Sequence, residues 1–412
     1  MKKVAILVST ALLIGTLLAA CGGEAPAPSG SAGRTAEAKP PEPVTLKVLW
    51  TGREDSFNDR VNNPIVKAKL PHVSFEFYSL NQGLENLLMS GVKFDLMNIT
   101  TKVFFEAVRL KLTSDMTGLL QTHQFDMGRF LPEHVEAIRL LTGDGKLYAV
   151  PDKANFPYAY HALVFNKDIF DKFAVPYPKD NMTWDEVVEL AKRVQRVDGG
   201  TAYTGLGLGT SQYMYEQSAL HYQNKQRKVD LSNPLFGKIF HIYQKAYNVI
   251  GKDPLGNVDA FMKDKNVAMF AGHVGVLIEE ATRQKDTLPN WDIVTFPVFE
   301  ETPNSAPPIN GVYMVASTSE HKDETIRLID AILSKDNTKA IEDGYMNPEF
   351  AKKNINAVKA PKQSLYVPGA FDTQGNALFN KKIRELNKNG GDINTSQREM
   401  QEELQKVVDG SP

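Results

Sequence analysis

The stretch "VTLKVLW", Val44 to Trp50, alternates apolar and polar positions and is rich in branched residues, so it predicts a β-strand. A helix-like stretch follows to about Leu70, and "HVSFEFYSL" predicts a second strand. "NQGLENLLMSG" has apolar residues at helical spacing and stops at Gly91, ahead of a third strand in "FDLMNI", Phe94 to Ile99. Strand, helix, strand, helix, strand in this order predicts a parallel sheet with right-handed crossovers. "GDGK", Gly143 to Lys146, reads as a turn, and "LYAVP" then leads into "YAYHALVFN". "TWDEVVELAKRV" opens with Thr183 and has Glu186 three positions on, which is a capping box. "YTGLGLG" predicts another strand, and amphipathic helices follow near Pro234 to Ile250. "VAMFAG", "WDIVTFPVF" and "NGVYMVAS" predict further strands. "SEHKDETIRLIDAILSKD" predicts a helix with Ile326, Ile329 and Leu333 on one face and Ser319 as its cap. The last segment, "TSQREMQEELQKVVDG", predicts an exposed helix, and no fixed-period repeat is present.

The first 43 residues follow a different pattern. Lys2 and Lys3 precede an apolar run from Val4 to Leu18, too short for a membrane span with flanking charges, and then the small residues Ala19 and Ala20. This reads as a secretory signal over residues 1–20. Cys21, which follows it, is the only cysteine of the chain, so no disulfide is available. The run Leu18-Ala19-Ala20-Cys21-Gly22 resembles the lipobox of bacterial lipoproteins. That resemblance implies cleavage before Cys21, a diacylglyceryl group on its thiol, and attachment to the membrane through that lipid. "GGEAPAPSGSAGRTAEAKPPEP", Gly22 to Pro43, has no aromatic residue to bury and reads as a tether. Its extended reach is on the order of 65 Å at roughly 3 Å per residue.

Composition narrows the function classes. The formal charge is −2, and loss of Lys2 and Lys3 with the signal moves it to −4. No basic stripe points to nucleic acid. A chain of 412 residues with 42% hydrophobic content is long enough for two lobes, and no second apolar run after the signal is long enough to cross a bilayer.

From Leu147 to Val194 the succession "LYAVP", "ALVFNKDIFDKFAVPYP" and "MTWDEVVELAKRV" resembles the sugar-type (family 1) extracellular solute-binding proteins of ABC importers. "FMKDKNVAMFAG" is similar to that family's F-x-x-G-K-x-A-M, with Asp264 and Asn266 loosening the middle. "WDIVTFPVF", "PINGVYMVAS" and the helix after Ser319 keep its order. The resemblance extends over nearly all of the chain after the leader. It implies an α/β, two-lobe fold of the periplasmic-binding-protein type II class, with a hinge and a central ligand cleft. Lobe 1 would take residues 44–154 plus 310–343, and lobe 2 residues 155–309 plus 344–412. The chain would cross near Ala154 to Tyr158, near Thr295 to Asn310, and again near Gly344 to Pro348. The resemblance further implies a monomeric receptor that needs no cofactor or metal and performs no covalent chemistry. It would hand a small ligand to the transmembrane subunits of an ABC permease. A mono- or oligosaccharide is the first ligand class, another polar solute the alternative, and a lipid-anchored glycan-active enzyme the alternative outside the class.

Ligands of open α/β sheets sit beyond the carboxyl ends of the strands, which selects the candidates. Trp50 and Arg53 follow the first strand, and Asn98 and Thr100 end the third. Tyr158 and Tyr160 flank the first crossing, Ser211 and Tyr213 follow "YTGLGLG", and Asn310 and Tyr313 follow the second crossing. Rings that meet the C–H faces of a sugar, together with paired donors and acceptors for its hydroxyls, suit such a cleft. Core packing is the other use of each ring, Trp50 included. Asn166, Lys167 and Asp168 read as a strand-to-helix turn, and Trp184 as packing. Two departures loosen the sugar assignment: Ile99 and Thr100 stand where many members carry an aromatic, and Gly272-His273-Val274-Gly275 where many carry Gly-x-Trp.

Enzyme motifs are incomplete. Ser319-Glu320-His321-Lys322 fits the S-x-x-K of acylating enzymes, but their S-D-N and K-T-G partners do not occur. "GLGLG" lacks phosphate-loop spacing. The eight histidines are scattered, without zinc-ligand spacing.

Overall fold

A computed structural model describes residues 42–410 except 143, 153–160, 223–227, 257, 276, 278–287, 304, 307–310, 346–349, 360–361, 364–365 and 367–368. The chain divides into Met1–Glu42 and Pro43–Pro412. Of the first unit only Glu42 is described, so Cys21 lies outside the described residues. So do Tyr158, Tyr160 and Asn310, and with them the centres of the crossings.

The second unit is built on two main sheets. The first is formed by β1 (Val44–Trp50), β2 (Val73–Ser79), β3 (Leu96–Thr100), β4 (Val150–Pro151) and, from far along the chain, β12 (Gly311–Val315). Their order is β2-β1-β3-β12-β4. β1 pairs in parallel with β2 and β3, as the alternation of strands and helices predicts. β12 runs antiparallel between β3 and β4. The second sheet is formed by β5 (His161–Asn166), β8 (Gly207–Leu208), β9 (Met269–His273) and β10 (Trp291–Thr295), in the order β10-β5-β9-β8. All six residues of β5 are buried, as expected of a central strand covered on both faces. Two small pairs complete the set: the hairpin β6 (Arg196–Asp198) with β7 (Thr201–Tyr203), and β11 (Ser305–Ala306) with β13 (Lys362–Gln363).

Each sheet has its own apolar core. The first draws on residues from Leu46 to Val150 and again from Val312 to Leu333. The second draws on Leu163 to Phe299 and then on Phe379 to Val408 of the two C-terminal helices, Asp372–Asn389 and Ile393–Asp409. Trp184 is 2% exposed and starts helix Trp184–Val194, whose capping box at Thr183 and Glu186 forms as its spacing predicts. Asn166 caps helix Lys167–Lys172 by accepting from the Asp168 amide, so the Asn-Lys-Asp segment is the turn it resembles.

Two expectations are corrected. "YTGLGLG" is not one strand: β7 stops at Tyr203 and β8 holds only Gly207 and Leu208. The reason is a close passage over helix Trp184–Val194, where a Cβ on Gly205 would lie 2.4 Å from the Ala191 carbonyl oxygen. There the chain is tied to the helix end, Gly205 N donating to Gln195 Oε1 (2.7 Å), rather than to a neighbouring strand. Ser319 is not the cap of the following helix, which begins at Lys322 with His321 in the cap position. Its hydroxyl instead donates to Asp95 Oδ1 (2.7 Å) and accepts from the His321 amide (3.1 Å). Asp95 is itself buried and accepts from Lys47 N (2.9 Å), so the hydroxyl is drawn back to the sheet.

Candidate functional site

The topology brings the ends of the first two chain crossings to one edge of each sheet. β1, β2 and β3 end at the first sheet's carboxyl edge. The chain leaves that edge after β4 and returns to it at Gly311, and Asp152 N donates to the Gly311 carbonyl (3.0 Å) where the two passages meet. In the second sheet β5 enters at His161, opposite His273 at the end of β9, and Thr295 at the end of β10 faces Ala162. β8 runs parallel to β9 and ends on the same side. Carboxyl edge is therefore connected to carboxyl edge, the position at which open α/β sheets bind ligands.

At the first edge Asn98, 6% exposed, is central. Its carbonyl accepts from Thr51 Oγ1 (2.9 Å), and its Nδ2 donates to Val312 O and to Asp152 Oδ2 (3.4 Å each). Thr100 caps helix Thr101–Arg109 by accepting from the Val103 amide. Arg53 is exposed and pairs with Asp55 at the start of helix Glu54–Arg60. Trp50 and Tyr313 lie deeper, at 3% and 0% exposure, with ring centroids 6.1 Å apart. Phe57 closes on Trp50 edge-on at 5.9 Å.

The second edge is aromatic. Tyr213, half-buried in helix Gln212–Gln217, meets the His161 ring edge-on at 4.4 Å. His161 also touches His273 (5.4 Å) and Phe296 (5.9 Å). Burial pushes the Tyr213 hydroxyl up to about 12, with the charge of Glu216 adding to the shift. Gly209 makes room for this ring, since a Cβ there would lie 3.2 Å from it and 3.3 Å from the Gly272 Cα. Ser211 is fully buried, and its hydroxyl contacts Asn376 (2.8 Å) and Asn380 (2.9 Å) of helix Asp372–Asn389.

Of the candidates that are described, Trp50, Arg53, Asn98, Thr100 and Tyr313 gather at the first edge, and Ser211 and Tyr213 at the second. Asp152, His161, His273 and Phe296 also stand at these edges and were not among the sequence candidates. Asp152 directly follows "LYAVP", His161 opens β5 and His273 directly follows "VAMFAG", so position at a strand terminus could have drawn attention to them. Among the described residues no group of three or more His, Cys, Asp or Glu side chains could hold a metal ion, and no helix is long and apolar enough to cross a membrane.

Comparison with known proteins gives the same picture. The family described as bacterial extracellular solute-binding protein matches residues 134–339. Among curated proteins no sequence match is found. Solved structures match at low identity. An ABC substrate-binding protein from Listeria monocytogenes in complex with cycloalternan is 14% identical, with a TM-score of 0.70 over 90% of this chain and 100% of that one. The sugar-binding protein MalE from Xanthomonas citri is 15% identical, with a TM-score of 0.63 over 89% and 97%. UgpB from Mycobacterium tuberculosis in complex with glycerophosphocholine is 13% identical, with a TM-score of 0.68 over 89% and 98%. At these identities the likeness concerns the fold, the two-lobe α/β architecture of solute-binding proteins. With residues 134–339 of 412 matched by one family, the chain belongs to the bacterial extracellular solute-binding proteins.

Proposed function

We propose that this protein is a lipid-anchored receptor that captures a carbohydrate outside the cytoplasmic membrane and delivers it, as a monomer and without covalent chemistry, to an ABC import permease. The observation that carries this reading is that the chain crossings join two sheet edges, one aromatic around Tyr213 and one polar around Asn98. Rings of that kind pack on sugar C–H faces, and the amide and hydroxyl groups opposite suit sugar hydroxyls. The cycloalternan bound by the Listeria neighbour supports the ligand class. Glycerophosphocholine, bound by UgpB, is the counterpart from among other polar solutes. In this reading Arg53, Asn98, Thr100 and Tyr213 meet the ligand with Tyr158, Tyr160 and Asn310, while Trp50, Ser211 and Tyr313 support them from behind. Lobe 1 holds residues 44–154 plus 310–343 and lobe 2 residues 155–309 plus 344–412. The separate make-up of the two cores supports that division. Closure of the lobes over a ligand follows if both contribute contacts only when closed.

A thermal-shift screen against cycloalternan, maltose, tagatose, mannitol and glycerophosphocholine tests the ligand class. A stoichiometric binder at a hundredfold excess over its dissociation constant is expected to add about 2.7 kcal/mol of stability. Stabilisation by glycerophosphocholine alone would replace carbohydrate with another polar solute, and conversion of a sugar to products would make the protein an enzyme. The anchor has its own test. Cys21→Ala is expected to move the protein from the membrane to the soluble fraction, and a variant that stays on the membrane would refute lipid attachment at Cys21.

A further inference from the structure

We propose that Asp152 is a ligand-binding carboxylate, its Oδ1 left without a protein partner at the first sheet's carboxyl edge so that it accepts hydrogen bonds from the hydroxyl groups of a bound sugar or polyol. The proposal rests on the carbohydrate reading given above. Asp152 Oδ1 is buried and has no hydrogen-bond partner among the described residues. Buried carboxylate oxygens are normally satisfied, because withdrawing a charge from water without replacing its hydrogen bonds is costly. An unsatisfied one at a strand end is a place where a bound group can supply the missing hydrogen bond.

The surroundings fix this carboxylate without saturating it. Its main-chain amide is tied to the Gly311 carbonyl at 3.0 Å. Among the described residues its other oxygen, Oδ2, has only the long contact from Asn98 Nδ2, at 3.4 Å. Asn98 is held in turn by Thr51 and Val312. Gly311 leaves the space: a Cβ on it would lie 2.0 Å from Asp152 Oδ2, so any other residue there would displace the carboxylate. Asp152 stands where the outgoing and returning passages meet the sheet, at the end of the strands where a ligand is expected. An ionised carboxylate accepts and cannot donate, so its complement is a ligand rich in donors. A sugar or polyol hydroxyl fits, whereas the quaternary ammonium of a choline group has no N–H to offer.

Asp152→Asn keeps the shape of the side chain and removes its charge. The ligand-free variant is expected to melt at or above the wild-type temperature, since Oδ1 has no protein partner to lose and the amide oxygen can still accept from Asn98 Nδ2. Its affinity, measured by titration calorimetry with whichever of cycloalternan, maltose, tagatose or mannitol stabilises the wild type, is expected to fall about 10- to 100-fold. A lower melting temperature in the ligand-free variant would overturn the proposal, because Asp152 would then be a structural partner. So would unchanged affinity, with the carbohydrate reading left intact. If no sugar or polyol binds the wild type, that reading and the hydroxyl assignment fall together. Glucosamine run beside glucose separates an ammonium donor from a hydroxyl, and binding of the amine alone would also overturn the assignment.

Discussion

Replacing Trp50 by alanine is expected to remove about 3–5 kcal/mol of stability, the usual loss when a large buried ring leaves a cavity. The indole is 3% exposed and packs on Phe57 and Tyr313 at centroid distances of 5.9 and 6.1 Å. Gly52 is fitted around it, since a Cβ there would lie 3.0 Å from its Nε1. Neighbours this tightly placed relax only partly, so the cavity persists. Urea denaturation of the ligand-free variant measures the effect. A loss below about 1 kcal/mol, accompanied by loss of ligand binding, would return Trp50 to the cleft as a direct ligand contact.

A second large effect is expected from Asp372, at the start of helix Asp372–Asn389 and 8% exposed. Burial pushes its carboxyl up to about 6, against the opposing influence of hydrogen bonds from the Tyr366 hydroxyl and the Gly369 amide (2.7 Å) and of the Lys102 charge. A raised acid holds its proton more tightly in the folded protein than in the unfolded chain, so stability falls with rising pH over the range in which the unfolded chain has lost the proton and the folded protein still keeps it. Its contribution is therefore fully present below about pH 4 and is lost as pH rises through about 6. A displacement of about two pH units corresponds to about 3 kcal/mol. Asp372→Asn cannot titrate, so wild-type stability relative to the variant is expected to decline by about that amount between pH 4 and 7. The solvent-exposed carboxylates with lowered values, such as Asp144 and Asp392, have the opposite dependence but are common to both proteins. Denaturation curves at several pH values check this, and parallel stability profiles for the two proteins would refute it.

Much of the fold was legible because local signals agreed with burial. The first three strands, the capping box at Thr183 and the helix with Ile326 and Ile329 on its inner face all follow from period and capping chemistry. The errors arise where a distant partner decides. Nothing near Gly205 announces that Ala191 will lie beneath it, and nothing near Ser319 announces Asp95. The site was legible as a set of strand ends but not as a set of roles. Whether Ser211 faces solvent or Asn376 and Asn380 depends on a helix more than 150 residues away. Asp152 carries no motif, and its distinguishing feature, an unsatisfied oxygen beside a glycine, exists only once Gly311 has been folded against it.

The place of β12 in the first sheet constrains the order in which this protein can be made. The strand occupies the gap between β3 and β4 but is separated from both in the chain by β5 through β11. As the chain emerges from its amino end, β3 and β4 must wait with unpaired edges while the other sheet is still being delivered. Exposed strand edges invite pairing with other chains, and long-range closures of this kind are slow. The second sheet has no such debt, since β5, β8, β9 and β10 all arrive before Gly311. All its strands can pair while the first is still open, so a nascent chain stalled short of residue 311 carries one sheet that lacks only the C-terminal helices of its core and one whose strand edges are open to aggregation.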